Sequence, residues 1–98
     1  MSSSKHLNVF GKKYKIKRLT ALAKRGLDGE CDPAKKEISI DSKLKGREYQ
    51  ETILHEMFHA VIHECSIYQT MSPDLEEVIV DVLSKAVVEN FSIRHRKK

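Results

Sequence analysis

The sequence predicts an α+β domain in which a small antiparallel sheet packs on two helices. From Ile53 to Glu64, apolar side chains recur at helical spacing around the run His55-Glu56-Met57-Phe58-His59. From Ser72 to Phe91 a second helical pattern opens with clear start signals. Ahead of both, residues 6–18 and 29–41 alternate apolar and polar side chains around turn-forming residues, as two β-hairpins do.

Taken in order, Met1 to Lys5 and residues 94–98 read as disordered basic ends, and all 98 residues belong to one compact domain. In the first hairpin Leu7, Val9 and Phe10 precede Gly11, and Tyr14 and Ile16 then alternate with lysines, which predicts a solvated lysine-rich face. Leu19 to Arg25 is helix-like but short, and Gly26 ends it. In the second hairpin Asp32-Pro33 opens the turn, and Ile38 and Ile40 share one face of a strand over 37–41. The first long helix is expected at about Arg47 to Cys65, with Leu54, Met57, Phe58, Val61, Ile62 and Cys65 as its apolar stripe. For the second helix Ser72 can cap and Pro73 fits the first position, while Asp74, Glu76 and Glu77 favour the positive end of the dipole. Its apolar face, Leu75, Val78, Ile79, Val82, Leu83, Ala86, Val87 and Phe91, is expected to pack on the first helix.

Composition narrows the setting. No apolar run approaches the roughly 20 residues of a membrane span, and nothing resembles a signal peptide, so a cytoplasmic protein without membrane contact is expected. Cys31 and Cys65 form no C-x-x-C pair and read as free thiols, with a thiol ligand to a metal as the alternative. The net charge of +4 is unevenly spread. Residues 1–27 hold eight basic groups and no acidic one, the last five residues add four more, and the middle of the chain carries all fourteen acids. Basic ends on an acidic middle are either solvated ends that keep a small protein soluble or a nucleic-acid contact.

The run His55-Glu56-x-x-His59 carries the chemistry. Histidines four apart lie on one helix face about 6 Å apart along the axis, so both imidazoles reach one ion. The intervening glutamate stands beside the metal rather than at it, where it can take a proton from metal-bound water. A catalytic zinc takes three protein ligands and keeps one open position. His63 would lie about 12 Å along a continuous helix from His55, too far to share the ion. On the second helix, Glu77 and Asp81 stand four apart on one face. Glu77 is therefore expected as the third ligand and Asp81 as the acid orienting a ligand histidine, with Glu76 as the fallback ligand. One zinc ion per chain follows, although other divalent metals suit such a donor set.

With these residues the chain resembles the gluzincins, the zinc metallopeptidase class that includes thermolysin. The family's motif helix matches His55-Glu56-x-x-His59, and its downstream Glu-x-x-x-Asp matches Glu77 to Asp81. Among smaller relatives it is similar to the ImmA/IrrE and SprT-like families and the minimal gluzincins, often found in prokaryotes and their phages. The ImmA/IrrE pattern commonly reads His-Glu-Leu-Gly-His followed by a histidine four residues on; here Met57-Phe58 replaces Leu-Gly and His63 matches the last histidine. The resemblance covers about residues 29–91 and implies a minimal zincin-like domain with His55, His59 and Glu77 on zinc and Glu56 as base. It implies hydrolysis of peptide or protein substrates, whose backbone pairs with an edge strand beside the motif helix; Glu37 to Asp41 is either that strand or a plain cover for the core. Tyr68, Tyr49 and His63 are candidates for the oxyanion donor. The alternative function is a zinc-stabilised binding module with little or no turnover, associated with nucleic acid through its basic ends.

Overall fold

The computed structural model of the chain describes residues 5–66 and 69–94. Apart from Lys5 and Arg94, the two ends expected to be disordered lie outside the described residues. The elements are β1 (Lys5–Val9), β2 (Lys12–Leu19), a 3-10 turn (Ala23–Arg25), β3 (Gly29–Asp32), β4 (Glu37–Asp41), α1 (Gly46–Glu64) and α2 (Pro73–Asn90). The domain is α+β, with both expected hairpins, and α1 within a residue of its expected ends.

The sheet is mixed rather than wholly antiparallel. Its order is β1-β2-β4-β3. β1 with β2 and β3 with β4 form the two hairpins, but β2 runs parallel to β4, with Ile16 opposite Ile38. Each hairpin is a local pairing written into its turn, whereas the join between hairpins is non-local. It places β2 and β4 at the centre, where Tyr14, Ile16, Ile38 and Ile40 are buried with Val9, Ile53 and Ala60. A consequence is that Glu37–Asp41 is an interior strand. Among the described residues the free edges belong to β1 and β3, so a strand able to pair with another chain is Lys5–Val9 or Gly29–Asp32 rather than Glu37–Asp41.

α1 packs on β1, β3 and β4, and α2 packs on α1. A part-buried hydrogen bond fixes one end of α1 to the sheet: the hydroxyl of Tyr14, whose side chain is enclosed, donates to Glu64 Oε2 at 2.5 Å. Lys36 Nζ meets the same oxygen at 2.9 Å. The Tyr14 bond, and Lys36 after it, hold the Glu64 carboxyl below the ordinary range. At the other wall β3 comes close to α1. A Cβ added at Gly29 would stand 2.8 Å from Thr52 Cγ2, 3.1 Å from the Ser39 carbonyl and 3.2 Å from Glu56 Cγ. Gly29→Ala is therefore expected to lower stability by about 1–3 kcal/mol through overpacking. Thermal melts check this, and an unchanged midpoint would show that β3 moves away freely.

The face by which α2 packs differs from the expected one. Ser72 does cap it, accepting a hydrogen bond from the Leu75 amide at 3.1 Å, and Pro73 occupies its first turn. The buried residues, however, are Val80, Ser84 and Val88, whereas Leu75, Val78, Val82 and Leu83 remain 47–58% exposed and Phe91 67% exposed. In a stack of sheet, α1 and α2, only one side of α2 has a neighbour. Val80, Ser84 and Val88 follow one another at i, i+4, i+8, and the small Ser84 bonds its hydroxyl back to the Val80 carbonyl at 2.9 Å, so α2 sits close on α1 with no polar atom stranded. Glu77 and Asp81 lie on that same inward stripe, which brings them to α1.

Candidate metal centre

α1 carries Glu51, His55, His59 and His63 at successive i, i+4 positions, and all four line one cleft of about 620 Å³. Its other walls are β3 with the preceding residues 26–28, and the first half of α2 with Glu76, Glu77 and Asp81. Phe58 is half-buried and does not line this cleft.

The two motif histidines converge on one carboxylate. His55 Nε2 is 2.8 Å from Glu77 Oε2, and His59 Nε2 is 3.2 Å from Glu77 Oε1. One ligand atom from each of the three residues lies within 4.8 Å of the others, making this the one such group among the described residues. Donors about 2.0–2.1 Å from a tetrahedral ion stand roughly 3.3 Å apart, so the observed spacings suit a small divalent cation. The chemistry of the donors favours one too. His59 has a carboxylate at both ring nitrogens, with Glu76 Oε2 2.6 Å from Nδ1. A neutral imidazole has one N–H, and given to Glu76 it leaves a lone pair on Nε2 facing the oxygen of Glu77. A cation between Nε2 and the carboxylate turns that repulsion into coordination. Glu77 is 59% exposed along its side chain, so one side of the group is open to solvent, as a catalytic rather than a structural site requires.

Each expected site residue has a definite place. His55, His59 and Glu77 come together as ligand candidates. Asp81 stands near the centre, but its Oδ1 is 4.0 Å from His55 Nδ1, beyond hydrogen-bond reach, and its other oxygen binds Lys85 at 3.0 Å. The close orienting carboxylate is Glu76, on His59. The signal for it was the pair Glu76-Glu77 itself: neighbours on a helix differ by about 100° in direction, so one can reach the metal side of an imidazole and the other its far nitrogen. His63 lines the cleft one turn beyond His59 and outside the ligand group. Tyr49 packs against the core under the Arg18 guanidinium, 4.7 Å from its ring centre, and does not line the cleft. Tyr68 lies outside the described residues.

Glu56 is on the same helix but turned toward β3, and only 6% of it is exposed. Burial pushes its carboxyl up to about 7, with Glu77 and Glu30 adding to the rise and His59 opposing it. It lines the cleft, and among the described residues no buried side-chain nitrogen or oxygen is left without a hydrogen-bond partner. Cys31 also lines the cleft, and burial, then the nearby Glu56, push its thiol up to about 12. It is a neutral thiol at neutral pH, and neither it nor the exposed Cys65 belongs to the ligand group. Among the described residues, no helix is long and apolar enough to cross a membrane. Compared with known proteins, the chain matches no family model, no curated protein and no solved structure.

Proposed function

We propose that the chain is a zinc-dependent peptidase that hydrolyses peptide bonds in the cleft between β3 and α2. The observation that carries this reading is the convergence of His55, His59 and Glu77, with the buried Glu56 beside them. His55, His59 and Glu77 would hold the ion, and Glu76 fixes the His59 ring by accepting its Nδ1 proton. When bound, zinc supplies a Lewis acid for the scissile carbonyl and acidifies water at neutral pH. Glu56 accepts the proton of the attacking water as the new C–O bond forms, then delivers it to the amide nitrogen as the C–N bond breaks. Its burial keeps it beside the reacting atoms rather than in bulk solvent. His63 is the remaining described candidate for a donor to the oxyanion.

Substrate backbone has a free edge to pair with. The Asp41 amide donates to the Asp28 carbonyl at 2.8 Å, so by antiparallel alternation Asp28, Glu30 and Asp32 turn toward β4. The N–H and C=O groups of Gly29 and Cys31 then face outward along the cleft, where an extended peptide can add as a fifth strand. The two free thiols fit a reducing, cytoplasmic setting.

The test is incubation of zinc-loaded protein with a pool of unstructured peptides, followed by mass spectrometry. New termini that vanish on chelation support the reading; none with zinc bound stoichiometrically would contradict it. Glu76→Gln is expected to weaken zinc binding by about 10–100-fold without abolishing it, as loss of an orienting partner does. Competition against a chromophoric chelator measures this, and unchanged affinity would remove Glu76 from the centre. The second reading, a zinc-stabilised module without turnover that contacts nucleic acid, draws on Lys12, Lys13 and Lys15, all exposed on β2. DNA binding that weakens with salt and is lost when these are neutralised would favour it.

A further inference from the structure

The walls of the cleft are acidic well beyond the needs of a metal centre. Glu56, Glu76, Glu77 and Asp81 belong to that centre or border it, but Asp28, Glu30 and Glu51 also line the cleft, and among the described residues no lysine or arginine does. We propose that the substrates are cationic peptides, carrying Lys or Arg beside the scissile bond. This inference rests on the peptidase reading and names the class of substrate it acts on.

The extra carboxylates stand on opposite walls. Glu51 is one helical turn before His55 on the stripe that continues through His59, so it borders the centre on α1. Glu30 is on β3, the strand whose free edge receives the peptide. Side chains of an added strand project alternately to the two faces of the sheet, so residues flanking the scissile bond pass both walls. The nearest cations do not neutralise them. Arg25 pairs with Glu30 at 3.0 Å and Lys85 with Asp81 at 3.0 Å, but these side chains are 41–60% exposed and neither cation lines the cleft. Exposed pairs of this kind are weak, and a peptide cation can compete for the same carboxylates. A divalent ion offsets two of the seven carboxylates that line the cleft, which leaves it negative. The whole chain carries +4, so its overall field attracts anions; a preference for cations would have to arise in the cleft.

The test uses full-length, zinc-loaded Glu56→Gln protein, which leaves peptides uncut, and two labelled unstructured peptides of one apolar frame, one lysine-rich and one glutamate-rich. Fluorescence anisotropy is expected to show the lysine-rich peptide binding at least about tenfold more tightly, with the advantage shrinking as salt rises. Glu30→Gln combined with Glu51→Gln is expected to remove most of that advantage, while Lys12→Gln with Lys13→Gln leaves it in place. Equal binding, or tighter binding of the glutamate-rich peptide, by protein that holds zinc would overturn the charge preference while leaving the peptidase reading intact. The same holds if the wild type cleaves both peptides equally. Failure to take up zinc would overturn both.

Discussion

Glu56→Gln is expected to keep zinc and lower peptide hydrolysis by about 10²–10⁴-fold, the usual contribution of a positioned general base. Glutamine has the size of the residue it replaces, which matters where β3 leaves so little room: Glu56 Cγ is already 3.2 Å from where a Cβ on Gly29 would be. The amide cannot accept the proton of the attacking water, so chemistry stops while the histidines and Glu77 are untouched. Initial rates by mass spectrometry, with metal content on the same samples, check this. Full turnover in the variant would exclude Glu56 as base, and loss of zinc with loss of turnover would make it a ligand instead.

Zinc is expected to raise the thermal midpoint of the wild type by roughly 10–20 °C when supplied at about 100 times its dissociation constant. Binding the folded state alone adds about 2.7 kcal/mol at that excess, and in a domain of this size each kcal/mol shifts the midpoint by about 4–8 °C. Glu77→Ala and His59→Ala should abolish the gain, since each removes one of the three donors that would hold the ion. Melts in zinc and in chelator measure it. Coincident curves for the wild type would mean that the three residues hold no ion, and that their proximity reflects packing of α2 on α1 alone.

The parts of this molecule legible in the sequence are those fixed by local chemistry. The turn residues Gly11 and Asp32-Pro33 announced both hairpins, and Ser72-Pro73 announced the start of α2, because the energies involved act over a few residues. The convergence of His55, His59 and Glu77 was legible as well, since His-Glu-x-x-His fixes two imidazoles on one face and few carboxylates follow at a useful distance. What depends on tertiary arrangement was not. The parallel pairing of β2 with β4 has no local signal, and it turned the strand at 37–41 from a possible edge into an interior strand, passing the edge to β3. The apolar positions of α2 suggested an inward face through Leu75, Val78 and Val82, yet the helix packs through Val80, Ser84 and Val88. A serine is accommodated on the buried stripe because its hydroxyl bonds back to the Val80 carbonyl of its own helix. That rotation is also what separates Glu76, on the far nitrogen of His59, from Glu77 at the centre.

The most direct test of the metal centre is elemental analysis of protein purified without a metal-affinity tag, dialysed against zinc and then against metal-free buffer. The account predicts close to one zinc per chain in the wild type and in Glu56→Gln, and a small fraction of that in Glu77→Ala. Wild-type protein that retains no zinc, or a Glu77→Ala variant that retains it fully, would contradict the site described here.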